Sequence, residues 1–221
     1  SIIEIEAEEN SDVKIYISQR FSLEVLSIQS VYYRVKENAN VEFVQVDLGG
    51  RENYVSYIGD LVDNNSNVNV NSIYFGKNEQ KLDFNYVATQ RGRATNYDLA
   101  IKGALADRAQ KTCKVTIDFK RGSSTSKGSE EEYVTLLSDD IKNVAVPILL
   151  CTEDDVEGIH AASAGKIDEN ILFYIMSRGF SESEAKRLIL ESKFAETIDL
   201  IENEEIRKRV YTTLSKKLSE V

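Results

Sequence analysis

The chain contains one histidine, His160, and it closes a carboxylate-rich run, Thr152-Glu153-Asp154-Asp155-Val156-Glu157-Gly158-Ile159-His160. An imidazole among acids can hold a metal ion or relay a proton, because a neutral ring offers one donor and one acceptor nitrogen while carboxylates attract cations. Cys151, nine residues before His160, could add a soft thiolate ligand. The candidate metal set is therefore His160, Cys151, Asp154, Asp155 and Glu157. The plainer reading makes Cys113 and Cys151 two small hydrophobes in a reducing cytosol, since they form neither a disulfide framework nor a CxxC pair. Likewise, the acids could do no more than cap nearby elements and keep the surface solvated.

No other segment has the spacing of a site. In Arg121–Glu132, RGSSTSKGSEEE, Gly122 precedes Lys127 by five positions, but the second glycine that a phosphate loop needs before its lysine is missing, and Gly128 follows instead. The segment reads as a solvated connection between strands. With no Ser/His/Asp set and no closed metal-ligand spacing, a non-enzymatic role is expected. One rival reading remains, a solenoid carbohydrate enzyme using Glu153, Asp154 or Asp155 as acid, base or calcium ligand.

A net charge of −10 over 221 residues repels phosphate backbones and argues against nucleic acid as a partner. No apolar run approaches the roughly 18–20 residues that span a bilayer, and no basic start leads into a hydrophobic segment as in a secretory signal. A cytoplasmic protein with no membrane partner is expected. The chain opens on Ser1 and its single methionine is Met176, so it is expected to be the C-terminal part of something longer.

The elements that must position His160 fall into two regimes. From about Val13 to Val156 the chain is strand after strand: VKIYIS from Val13, VYYRV from Val31, VEFVQVDL from Val41, YVSYIGDLV from Tyr54, VNVNSIYF from Val68, LDFNYVAT from Leu82, ATNYDLAIKG from Ala94 and CKVTIDF from Cys113. They are rich in β-branched and aromatic residues, and many alternate apolar with polar. Tight hairpins would need frequent proline and glycine, yet Pro147 is the single proline. Asparagines such as Asn64, Asn65, Asn67, Asn69 and Asn71 suit corners and can ladder between stacked rungs. A β-solenoid is the expected architecture.

After Gly165 the period changes to that of helices. Asp168 can cap a helix carrying Ile171, Leu172, Tyr174 and Ile175 that Gly179 terminates. Ser181-Glu182-Ser183-Glu184 is a capping box for a second helix with Ala185, Leu188 and Ile189 on one face. Ile198 with Leu200 and Ile201 suggests a third short helical turn, and Ile206, Val210, Leu214 and Leu218 mark a last helix. The basic residues Arg207, Lys208, Arg209, Lys216 and Lys217 are read as a solvated helix face.

The order of short motifs points further. Leu136–Asp139 (LLSD), Asp154–Val156 (DDV), His160-Ala161, Gly165 with Ile167-Asp168, Leu172–Tyr174 (LFY) and Ser177–Gly179 (SRG) follow one another closely. In this the chain resembles the C-terminal half of the SufB/SufD family of iron–sulfur cluster assembly scaffolds, with Ala109–Thr112 (AQKT) fitting the same core. It is more similar to SufD, because SufB-like members carry a carboxylate where His160 stands. One departure is that SufD-like proteins often have a cysteine where this chain has Gly158. The resemblance implies a right-handed parallel β-helix over 1–165 and a helical domain over 166–221. It implies pairing with a SufB- or SufD-like chain, as a hetero- or homodimer, and docking of a SufC-like ABC ATPase on the helices. It also implies that His160 contributes to a transient iron–sulfur cluster or iron at an intersubunit site. There Glu153, Asp154, Asp155 and Glu157 would orient the ring or attract Fe²⁺. The same family picture admits a purely structural homodimer that has lost cluster chemistry.

Overall fold

A computed structural model describes residues 1–219. Twelve strands wind into a parallel β-solenoid in which each coil contributes one strand to each of two six-stranded sheets. One sheet runs β1 (Ile2–Ala7), β3 (Leu26–Val35), β5 (Glu52–Leu61), β7 (Lys81–Gln90), then the ninth and eleventh strands; the other runs from the twelfth strand through the even-numbered strands down to β2 (Asp12–Gln19). The strands that matter most for the site are β8 (Asn96–Leu105), β9 (Gln110–Phe119), β10 (Ser126–Leu136), β11 (Lys142–Cys151) and β12 (Val156–Gly165). Three helices follow: α1 (Glu169–Ser177), α2 (Glu182–Ile198) and α3 (Glu204–Leu218).

Two corners make each coil, and the chain turns them with left-handed residues. Between the strands of the first sheet and those of the second, Asn10, Asn38, Asn65, Ala94 and Thr125 all have φ between 53° and 61°. Asparagine tolerates this region better than most residues, because its short polar side chain bonds locally. The side chains also stack: Asn38 Nδ2 donates to Asn10 Oδ1 at 3.1 Å and Asn65 Nδ2 to Asn38 Oδ1 at 3.1 Å. The expected asparagine ladder thus exists, at the corner where it was expected.

Inside the solenoid the alternating residues of both sheets interlock. Tyr33, Phe43, Tyr57 and Tyr86 form a chain of rings with centroids 5.2–5.3 Å apart, within the range of favourable aromatic pairs. Where a ring needs the space of a neighbour, the neighbour is glycine. A Cβ on Gly103 would lie 2.0 Å from Tyr74 Cζ.

Strands β4 (Asn40–Asp47) and β6 (Asn67–Gly76) lose their alternation towards the end, as in Val44-Gln45-Val46-Asp47 and Ile73-Tyr74-Phe75. The reason lies on the outer face: Val44, Val46, Leu48, Ile73, Phe75 and Ala104 are covered by Leu190, Phe194, Ile198, Val210, Leu214 and Leu218 of α2 and α3. A strand buried on both faces reads as a continuous apolar run. Polar ties reinforce the docking, with Lys193 Nζ donating to Thr135 Oγ1 at 2.9 Å and ion pairs Lys102–Glu196 and Lys14–Glu202.

Two expectations need correction. Arg121–Glu132 is not a connection throughout, because β10 begins at Ser126 and carries Glu130 and Glu132 into the interior. Their polarity hid the strand, since a buried charge with a partner looks in sequence like a solvated one. The four helical segments are three: Ile198 ends α2, and Leu200-Ile201 form the turn leading to α3. The caps hold as expected, with Asp168 accepting from Asn170 N at 2.8 Å and Ser181 and Glu184 forming a reciprocal box.

Replacing Gly103 with alanine should destabilise the chain by about 1–3 kcal/mol, the usual cost of overpacking a filled core. Urea denaturation of the two proteins measures it, and an unchanged midpoint would contradict the tight contact with Tyr74.

Candidate functional site

Stacking in register decides which residues meet at the end of the solenoid. Residue pairs Ser126↔Val156, Gly128↔Gly158, Glu130↔His160 and Glu132↔Ala162 lie side by side in β10 and β12. Parallel neighbours share a face, and side chains along a strand alternate. Because Ser126, Gly128, Glu130 and Glu132 point inward, so does His160. Its ring lies against a carboxylate 30 residues earlier: Nδ1 is 2.9 Å from Glu130 Oε2.

Glu130 is 2 % exposed, whereas the His160 side chain keeps 21 % of its surface because β12 is the last strand of its sheet. The ring's other nitrogen, Nε2, is shielded and has no hydrogen-bond partner. Burial pushes the Glu130 carboxyl above the usual glutamate range, opposed first by its bond to His160 and then by the imidazole's charge. The pair is therefore one unit, a buried acid whose charge is favoured by the ring beside it.

One step deeper lies a second charged pair. Lys111 Nζ is 2.5 Å from Glu132 Oε1, with side-chain exposures of 0 % and 2 %, and it also donates to the Val144 carbonyl at 3.3 Å. An ion pair this dry stands only because each charge satisfies the other. Nearby Tyr74 has its hydroxyl raised well above the tyrosine range, first by burial and then by the charge of Glu132. Cys113, on the same inward face as Lys111, has its thiol pushed far up by burial. A thiol so placed is a hydrophobe and not a nucleophile, in keeping with the plainer reading of that residue.

The other residues of the candidate set go elsewhere. Glu153 accepts from the Gly122 N–H at 2.9 Å, and backbone donors, Gly122 first, hold its carboxyl below the usual range. Asp155 accepts from Ser124 Oγ at 2.8 Å, and Glu157 pairs with Lys127 at 2.9 Å. Asp154 lies exposed in the bend between β11 and β12. Glu153, Asp155 and Glu157 thus tie the last coil to the one beneath it. The acid that touches the ring is Glu130, so the expectation that Glu153, Asp154, Asp155 or Glu157 orients His160 is corrected. A strand sends neighbours three apart to opposite faces, which takes Glu157 outward when His160 turns inward.

Cys151 is exposed at the end of β11, in register with Phe119. Leu149, two residues before it, reaches across the coil to Gly158, where an added Cβ would meet Leu149 Cδ2 at 2.7 Å. At Gly158, where a SufD-like cysteine often stands, a leucine occupies the room. Among the described residues, no three His, Cys, Asp or Glu side chains are gathered closely enough to hold a metal ion. No helix among them is long and apolar enough to cross a membrane.

The last coil is also open as a surface. β11 and β12 each have a single hydrogen-bonded neighbour strand. Val146, Leu149, Leu150 and Ile159 on them are exposed. α1 buries none of its residues, and Ile171, Phe173 and Tyr174 are at least half exposed, Phe173 at 73 %.

Fold and site together define a parallel β-solenoid with its imidazole at an unpaired end and helices packed on the outer face of one sheet. The family model described as "SUF system FeS cluster assembly, SufBD core domain" matches residues 1–193, and the chain belongs to the SufBD family. It is 30% identical over 147 residues to the iron–sulfur cluster assembly protein SufD of Bacillus subtilis, covering 66% of this chain and 34% of that protein. A SufBD family protein of Pyrococcus horikoshii is 30% identical over 165 residues, covering 72% of this chain and 35% of its own length. One from Mycobacterium leprae is 23% identical over 198 residues, or 90% of this chain and 23% of that protein. The chain thus spans about a third of the first two relatives and less of the third.

The sequence reading missed Lys111, Glu130 and Glu132. A signal was present: Gly128, Glu130, Glu132 and Val134 keep the period of two, with charges in the inward slots. Replacing Lys111 with methionine should cost about 3–5 kcal/mol by leaving Glu132 buried and unpaired, whereas Lys111→Met with Glu132→Leu should recover most of that loss. Thermal and urea denaturation of the single and double variants measure the difference. A double variant no better than the single would mean the pair is not dry.

Proposed function

We propose that this chain is a non-catalytic scaffold subunit of a Suf-type iron–sulfur cluster assembly complex. In this reading it pairs with a SufB- or SufD-like chain through the last coil of its solenoid and binds a SufC-like ABC ATPase through its C-terminal helices. The observation that carries the reading is the unpaired coil of β11 and β12, with exposed apolar side chains and the chain's single imidazole in the same place. An uncovered strand edge is a template for pairing with another chain. Relatives named for iron–sulfur cluster assembly supply the chemical context.

Nascent clusters are held mainly by thiolates, with imidazole as an occasional ligand. One histidine and two cysteines placed as here leave most of the ligand set to the partner. His160 would offer one nitrogen across the seam, and the iron and sulfide are cargo. The uncovered face of α1, with Phe173 at its centre, is where the ATPase would dock. The chain itself would hydrolyse nothing.

Co-expression with SufB-like and SufC-like chains, followed by anaerobic reconstitution with iron and sulfide, tests this. His160→Ala should abolish cluster formation while leaving the pair of scaffold chains intact on size exclusion. Ile159→Asp with Leu150→Asp should instead separate that pair. Phe173→Asp should release the ATPase alone, read by co-purification. Full cluster yield in His160→Ala with dimerisation unchanged would leave a purely structural subunit in place of this proposal.

A further inference from the structure

His160 could reach a metal only through one of its two ring nitrogens, and the structure distinguishes them. Nδ1 lies 2.9 Å from Glu130 Oε2, while Nε2 is shielded and without a partner. A hydrogen on Nε2 would leave the Nδ1 lone pair facing the Glu130 carboxylate oxygen with no hydrogen between them. A hydrogen on Nδ1 makes a charge-assisted bond to the carboxylate. Both effects favour the same tautomer, with the proton on Nδ1 and the lone pair on Nε2.

The carboxylate is itself held in place. Glu130 is 2 % exposed between β8 and β12, paired in register with Leu99 on one side and His160 on the other. Behind it, Lys111 and Glu132 bind each other. The lysine's charge is thereby committed to Glu132, and the imidazole is left as the hydrogen-bond partner of Glu130. Outer partners that fix a ligand histidine in this way are a general device of metal sites.

We propose that Glu130 is a positioning residue for His160: it holds the ring in the Nδ1–H form, which leaves the free lone pair on Nε2. This rests on the reading of His160 as a cluster ligand given above. It adds a residue that the neighbouring sequence does not suggest, 30 positions away in the chain.

The presence of a single histidine makes the test direct, because all imidazole ¹⁵N signals come from one ring. Long-range ¹H–¹⁵N correlation spectra of the whole chain, recorded with the ring neutral, report which nitrogen bears the proton. The wild-type protein should show a protonated Nδ1 and a bare Nε2. Glu130→Ala should reverse that order, towards Nε2–H. Glu130→Met, which fills the same volume without an acceptor, should do likewise and keeps the test available if the alanine variant folds poorly. In the reconstituted complex, both variants should lower iron affinity by about 10- to 100-fold.

A wild-type ring protonated on Nε2, or the same tautomer in all three proteins, overturns the proposal. The two readings fail separately. If the tautomer follows Glu130 but His160→Ala leaves cluster assembly intact, the positioning stands and the ligand role falls. If His160→Ala abolishes assembly while both Glu130 variants keep the wild-type tautomer and yield, the ligand role stands and the positioning falls.

Discussion

In-register parallel stacking is the constraint from which the other features of this molecule follow. Each strand hydrogen-bonds to the strand one full coil away, so every residue has as its lateral neighbour a residue some thirty positions distant, and both point the same way. A coil length held by corners with left-handed asparagines keeps that register through the stack. A slip by one residue would turn Glu130, Glu132 and Lys111 out to solvent and a different set of side chains in. The buried pairs Lys111–Glu132 and Glu130–His160 therefore depend on the register, and having charges that match only in one alignment, they also penalise the wrong one.

A solenoid has two ends, and its last coil has neighbours on one side only. That geometry explains why the residues of β11 and β12 are more exposed than those of the coils beneath them, although they stack in the same register. It also explains why the imidazole is at once anchored and partly exposed: Nδ1 lies against Glu130, and the side chain keeps 21 % of its surface. The helices leave this end uncovered. α2 and α3 spend their apolar residues on the outer face of β4, β6 and β8, and α1 packs on α2 with Phe173 and Tyr174 turned outward. The architecture thus separates two open surfaces, a strand edge and a helix face.

Buried ion pairs distinguish the last coils from the aromatic core further down. Tyr33, Phe43, Tyr57 and Tyr86 fill the earlier coils by area burial and ring contacts. In the last coils two buried ion pairs and one leucine crossing to Gly158 join apolar residues such as Val115, Ile117, Phe119 and Val134. Removing one member of such a pair costs more than the pair contributes. Such groups are costly for stability, and their place beside the sole histidine accords with a chemical use.

Much of the architecture could be read directly from residue order. Period-two strands, scarce proline, asparagines at the corners, the aspartate cap of α1 and the serine–glutamate box of α2 act within a few residues, so local chemistry suffices to reveal them. His160 as the singular residue, and the family resemblance in the motifs around it, were legible for the same reason. What only the folded chain decided is its partner. Glu153, Asp154, Asp155 and Glu157 stand close in sequence, but alternation and the corner take them away from the ring. Glu130 stands 30 residues off and meets it, because a coil returns the backbone to the same place one turn later. Proximity along a strand extends only to next-but-one residues on one face, whereas proximity across a sheet depends on the length of the whole coil, which no short stretch of sequence encodes.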